Sequence, residues 1–149
     1  MTGALLAKSG ASQLQGIVRG YASLFGRTDQ AGDRIERGAF VASLARRGAA
    51  GVRMLWQHDP SQPIGVWTHL REDATGLFVE GRLTLASARA REVAALIAAR
   101  AVDGLSIGFR TRHARRGGAG SKRVLTEIDL WEVSIVTFPM QSEARLART

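Results

Sequence analysis

The residues of this sequence that could do chemistry together are a serine set between glycines, three histidines, and a carboxylate on an apolar run. The serine lies in "DGLSIGF", residues 103–109. Read with a strand's period of two, Leu105, Ile107 and Phe109 point one way and Gly104, Ser106 and Gly108 the other. One face is apolar. The other has almost no bulk except one hydroxyl, so another backbone could approach it closely. Such a hydroxyl is either a structural detail or a nucleophile. As a nucleophile it needs a base to take its proton and a third group to orient that base.

His58, His69 and His113 are the candidate bases. His113 follows Ser106 by seven residues on what reads as one strand, about 23 Å away at roughly 3.3 Å per residue, and it faces the opposite side. His69, in "VWTHLRE", reads as a surface residue. His58 ends "MLWQHDP", where the strand pattern puts Met54, Trp56 and His58 on one face and Pro60 stops the run. The third group is sought in "DLWEVSIVTFP". There Leu130, Glu132, Ser134 and Val136 share a face, and a carboxylate among apolar neighbours must be paired or hydrogen-bonded. A protonated imidazole is one partner for Glu132, and an arginine in a structural ion pair is the other. His58 likewise reads as a base or as a partly buried hydrogen-bond donor, and the residues alone leave both alternatives open. Asp129 faces away from Glu132, and Ser134 is a second choice of nucleophile because it lacks small neighbours.

Other chemistries find no support. Cysteine is absent, which excludes disulfides, thiolate metal sites and a cysteine nucleophile. There is no HExxH-type spacing, phosphate loop or dinucleotide fingerprint, so no metal or cofactor is expected. "GLSIG" approaches the nucleophile-elbow pattern, but Leu105 and Ile107 alternate as strand residues and no helix pattern follows. No apolar run approaches the roughly 20 residues of a membrane span, and a signal peptide's apolar stretch is missing, so a cytoplasmic protein without membrane contact is expected. The net charge is +8, carried almost wholly by arginine. The densest basic run, "RTRHARRGGAGSKR" at 110–123, reads as a solvated hairpin tip or as a patch for acidic partners. It holds no aromatic residue, so DNA contact through it would be non-specific and secondary.

The elements that must position these residues follow from periodicity and turn chemistry. Strands are expected at 13–26, 52–59, within "PIGVWTHLRED" and "GLFVEGRLTL" around a turn at Asp73–Gly76, and in "LSIGFRTRHARR" and "KRVLTEIDLWEVSIVTF" around a glycine-rich turn at 117–120. Residues 27–40 read as turn-rich. A short helix is expected around Phe40, Val41 and Leu44, ended by Gly48. A longer one is expected over 86–104, capped at Ser87 and closed by Gly104. With 149 residues, one domain is expected: an α+β, β-rich fold, a small and mostly antiparallel β-barrel with surrounding helices. A flexible N-terminus is assigned to 1–12, the domain to 13–140, and a short C-terminal tail to 141–149.

Taken in order, "GYASLFGRTDQAGDRIERGAF", "LWQHDPSQPIG", "GLFVEGRL", "DGLSIGF" and "DLWEVSIVTFP" resemble the successive blocks of the HK97-type prohead proteases of tailed phages. The resemblance covers about residues 15 to 140. It implies a fold shared with herpesvirus assembly proteases and a serine endopeptidase that cleaves scaffold, or the scaffold-like N-terminal segment of the major capsid protein, inside an assembling prohead. The source would be a phage, a prophage or a gene transfer agent. The nucleophile block falls on Ser106 and the histidine block on His58. The herpesvirus enzymes use a second histidine as third member, and Glu132 stands as the candidate here. Gly104 and Gly108 would let an extended substrate peptide lie beside Ser106. Herpesvirus relatives work as dimers, so a homodimer is the expected assembly. The competing expectation is a non-catalytic basic assembly factor that binds acidic scaffold or nucleic acid inside the shell.

Overall fold

A computed structural model describes residues 16–148. The expected flexible segment 1–12, and the start of the first expected strand, lie outside them. Strand β1 (Ile17–Leu24) opens the chain, followed by the short β2 (Asp33–Ile35), helix α1 (Val41–Arg47), β3 (Arg53–Trp56), β4 (Asp59–Glu72), β5 (Gly76–Leu83), helix α2 (Ala88–Ala98), β6 (Gly104–Arg116) and β7 (Arg123–Val136). The strands form one seven-stranded sheet in the order β1-β5-β4-β3-β7, with β2 and β6 also paired to β7. Half of its ladders run as antiparallel hairpin neighbours, β3–β4, β4–β5 and β6–β7, while β2 and β3 pair with β7 in parallel. The β-rich α+β class expected from the pattern is what forms.

Strand β7 is the hub. Strand β6 runs antiparallel along one edge, and β2 and β3 follow one another along the other. From Glu132 to Val136 every residue of β7 is buried, so this stretch has no solvent on either face. Apolar burial holds it: Ile64, Leu77, Leu105, Leu130, Val133 and Ile135 are fully inaccessible. Trp67, on β4, is almost as buried and donates its indole N–H to the Val133 carbonyl at 3.2 Å. Helix α1 is fastened to the same strand. Ser43 Oγ accepts from the Leu130 amide at 2.8 Å, and Arg47 donates to both oxygens of Asp129 at 3.0 and 3.1 Å.

Residues 141–147, beyond the expected domain limit at 140, pack between β1 and β6. The Leu105 amide donates to Ala144 O, the Leu146 amide to Asp103 O and the Ala147 amide to Arg19 O, each within 2.9 Å. Ala144 and Leu146 are buried there.

Three local expectations are corrected. Helix α2 starts as expected, with Ser87 Oγ accepting from the Ala90 amide, but it ends at Ala98, capped by Ala99, rather than at Gly104. Arg100 takes a left-handed conformation (φ 60°), and the Arg100 and Ala101 amides bond to Ile97 and Leu96 carbonyls. This closes the last turn in the pattern usually given to glycine. Gly104 is instead the first residue of β6. The run expected as one strand over 52–59 ends at Trp56, and Pro60 lies inside β4 instead of stopping a strand. Proline is tolerated there because it sits at the strand's first turn-proximal residues, where no ladder bond is lost. Finally, the turn-rich stretch after Leu24 contains the short strand β2, whose Asp33 receives a bidentate pair of bonds from Arg123 at 3.0 and 2.9 Å.

Two outcomes follow. Trp67→Ala removes a buried aromatic beneath β7 and should cost about 3–5 kcal/mol, read as a lower urea midpoint. The Asp129 carboxyl is held below the usual carboxylate range, first by the Arg47 hydrogen bonds and then by the charges of Arg47, Arg46 and Arg112, against desolvation, which raises it. A carboxyl depressed in the folded state contributes stability above its unfolded value of about 3.9, and that contribution is lost as pH falls through the lower folded value. Arg47→Ala should therefore lower stability near neutral pH and flatten its decline below about pH 4, checked by urea unfolding across pH.

Candidate active site

The β3–β4 connection is a two-residue turn. Trp56 pairs with Asp59, and the residues between them, Gln57 and His58, both have positive φ, 53° and 60°. Positive φ at both central positions is the signature of the type I′ hairpin turn, ordinarily built from Asn-Gly. Each residue here carries a side chain, which costs roughly 1–2 kcal/mol in that conformation. The cost is offset by bonds to β7 and the segment after it. The Gln57 amide donates to Ile135 O at 3.0 Å, and its side chain brackets Thr137 with bonds of 2.6 and 3.1 Å. The His58 amide donates to Ser134 Oγ at 3.0 Å. His58 is thus a turn residue, not the end of a strand face shared with Met54 and Trp56, and its side chain is 40% exposed.

Glu132 is buried on β7, 4% exposed, and both of its oxygens are used. Oε1 contacts His58 Nδ1. Oε2 accepts from the Ser134 hydroxyl at 2.6 Å. The partner of this carboxylate is therefore an imidazole and a hydroxyl rather than an arginine. An ionised carboxylate can only accept, so the contact assigns the proton to Nδ1 and leaves Nε2 as the imidazole's acceptor.

The carboxylate fits because Gly108 lies opposite it in the β6–β7 register. A Cβ on Gly108 would stand 2.3 Å from Glu132 Oε1, and one on Gly104 would stand 2.6 Å from Val136 O and 2.9 Å from Pro139. This corrects the role expected for the two glycines. The space they clear is filled by the protein's own β7 and the turn after it, not left for an extended peptide.

Ser106 lies two residues before Gly108, directly opposite Ser134. Facing Cβ atoms in such a pair are about 5 Å apart. Ser106 is 3% exposed, and its Oγ is buried without a hydrogen-bond partner among the described residues. The structure thus joins His58 to Glu132 but does not hydrogen-bond Ser106 to His58. What it does is set Ser106 across from the residue that holds both. Beside Ser106 opens a cleft of about 110 Å³, lined by Ala22, Ile35, Ile107, Phe109 and Met140 together with the carboxylates Asp29 and Asp33.

Comparison with known proteins gives this arrangement a family. The family of caudovirus prohead serine proteases matches residues 5–149. The chain belongs to that family. It is 37% identical over 135 residues to the prohead protease of Enterobacteria phage HK97, covering 89% of this chain and 60% of the relative. It is 30% identical over 128 residues to that of Escherichia phage T5, covering 85% of this chain and 60% of the relative. The chain therefore spans about 60% of the length of these curated relatives. Among solved structures, the bacteriophage T4 capsid assembly protease matches with a TM-score of 0.61 at 13% identity over 80% of each chain. The KSHV protease, in complex with a hexapeptide phosphonate inhibitor, matches with a TM-score of 0.55 at 16% identity, over 88% of this chain and 63% of that one. At such identities these two speak for the fold, and they agree with the herpesvirus-protease-like architecture.

The other candidates of this prohead-protease family member lie elsewhere. His69 is exposed and faces Glu80 at 3.5 Å, and His113 pairs with Glu127 far along β6. Asp129 is taken by Arg46 and Arg47. In the basic hairpin, Arg112, Arg115 and Arg123 pair with Glu127, Glu36 and Asp33, so the run is partly neutralised within the chain. Among the described residues no group of three or more potential ligands could hold a metal ion. Sequence reasoning did not foresee the parts played by Gln57 and Ser134. Neither carries a sequence signal, since a Gln-His pair does not advertise a type I′ turn.

Gly108→Ala tests the fit directly. The added methyl must displace Glu132, so the variant should lose about 1–3 kcal/mol of stability by overpacking and lose the imidazole–carboxylate contact, read by urea unfolding and by histidine NMR.

Proposed function

We propose that this chain is a serine endopeptidase that cleaves the major capsid protein's scaffold-like segment, or a separate scaffold, within an assembling phage-like prohead. One observation carries the reading: His58 is bound to a buried carboxylate, on a turn fastened next to a buried serine hydroxyl that has no partner among the described residues. A buried hydroxyl without a partner costs about 1–3 kcal/mol; the Ser23 and Ser121 hydroxyls share that state among the described residues, and what distinguishes Ser106 is its place opposite Ser134, the residue bonded to both Glu132 and His58. Catalytic hydrogen bonds are often long in the free enzyme and tighten on substrate binding. Rotation of the Ser106 side chain as substrate enters would carry Oγ toward Nε2 while His58 Nδ1 stays on Glu132.

In the reaction, Nε2 takes the Ser106 proton as Oγ attacks the scissile carbonyl carbon. The imidazolium gives that proton to the leaving amine nitrogen, the C–N bond breaks, and an ester on Ser106 remains. Water, deprotonated by the same nitrogen, then hydrolyses the ester. Glu132 keeps the proton on Nδ1 and stabilises the imidazolium. The mostly apolar cleft beside Ser106 would receive a substrate side chain. Family membership supports the reaction class, and the likeness to proteases of capsid assembly supports the setting.

Incubating the purified chain with its cognate capsid precursor tests the proposal. The wild type should release a discrete N-terminal fragment. Ser106→Ala removes an unpartnered buried hydroxyl, so it should fold with an unfolding midpoint at or above that of the wild type and lower cleavage by about 10⁴-fold or more. Cleavage by Ser106→Ala at the wild-type rate would remove Ser106 from the mechanism. Tight binding of an intact precursor by the wild type would favour the non-catalytic assembly factor.

A further inference from the structure

Ser134 was the second choice of nucleophile, and its surroundings give it a different task. It is fully buried, directly opposite Ser106 and two residues from Glu132 on the same face of β7. Its hydroxyl proton goes to Glu132 Oε2 at 2.6 Å, and its oxygen accepts the His58 amide at 3.0 Å. Its proton is committed to the Glu132 carboxylate and its oxygen to the His58 amide, so the hydroxyl makes no bond to the imidazole ring, the base of the proposed reaction. We infer that Ser134 is the positioning residue of the site, closing a ring of hydrogen bonds that fixes the Glu132 carboxylate and the His58 backbone together so that the imidazole is held in one tautomer and one orientation.

The ring can be followed atom by atom. The His58 amide binds Ser134 Oγ, the Ser134 hydroxyl binds Glu132 Oε2, and Glu132 Oε1 binds His58 Nδ1. A carboxylate held through one oxygen can still rotate about its side-chain bonds. Held through both, it cannot turn without breaking two bonds. The same hydroxyl also anchors the second of two left-handed residues, a conformation that persists only where surrounding structure over-determines it. Gln57 supplies a parallel anchor through Ile135 O and Thr137, so the turn itself does not depend on Ser134 alone. Removing the Ser134 hydroxyl should therefore loosen the His58–Glu132 pair while the hairpin persists.

This inference rests on the proposed peptidase reading only for its kinetic part, and its test separates the two. Proton NMR on the Ser106→Ala protein, which needs no turnover, should show a far-downfield imidazole Nδ1–H resonance from the carboxylate-bound His58. Ser134→Ala should abolish or broaden it, and Ser134→Thr, which keeps the hydroxyl, should restore it. In proteins retaining Ser106, Ser134→Ala should lower kcat roughly 10–100-fold, as loss of an orienting partner does at metal-bound histidines, with KM little changed, and Ser134→Thr should recover most of the rate. A Ser134→Ala protein with the resonance and kcat of the wild type would overturn the assignment. If the alanine variant does not fold, Ser134→Cys, similar in volume but a weak donor, takes its place: a weakened resonance supports the ring, and a wild-type one contradicts it. Loss of the resonance without any peptidase activity in the wild type would leave the positioning role standing and sink the enzymatic reading.

Discussion

The candidate site is organised by the burial of one carboxylate. Glu132 stands in a stretch of β7 where every residue is inaccessible, and an unpaired charge there would be far too costly to survive folding. Its two oxygens must find donors, and the fold supplies one from the β3–β4 turn and one from the same strand. Three otherwise unrelated features follow from that requirement. Strand β3 must run parallel to β7 so that its end reaches Ile135 and the turn after it folds back over Ser134 and Glu132. The turn must accept two left-handed residues so that His58 points back at the strand. The residue facing Glu132 on β6 must lack a side chain, and Gly108 does.

The rest of the fold makes that constraint affordable. β7 is covered from below by Trp67 and the apolar residues around it, held at its other end by Arg123 and Asp33, and fastened to α1 through Ser43 and Arg47. The C-terminal segment occupies the gap between β1 and β6, which fixes the start of the Ser106 strand. A well-packed hub with a strained turn, and beside it a buried hydroxyl without a partner among the described residues, is the distribution expected of a functional site, where local cost is tolerated because the surrounding structure is over-determined.

Much of this was legible in the sequence, for physical reasons. The alternation in "LSIGF" and "DLWEVSIV" marked both strands, the Asp73–Gly76 turn and the Ser87 cap are short-range chemistry, and a carboxylate on an apolar face announced its need for a partner. What stayed hidden depends on backbone conformation without a side-chain signal. Arg100 and Gln57-His58 adopt left-handed angles that sequence assigns to glycine or asparagine. The purpose of Gly108 could be read as space for a ligand because only the cross-strand register shows that Glu132 already fills it. Ser134 reads from the sequence as a spare nucleophile, because its bonds to Glu132 and to the His58 amide depend on a turn conformation that has no side-chain signal.

The proposed reaction depends on convergence of the 106 hydroxyl with the imidazole of the β3–β4 turn. A crystal structure of the protein reacted with a peptidyl phosphonate tests it most directly. It should show phosphorus bonded to Ser106 Oγ, with His58 Nε2 within about 3 Å of the serine oxygen or the leaving-group position and Nδ1 still on Glu132. Phosphorus on Ser134, or an adduct on Ser106 with the imidazole turned away from it, would contradict the account.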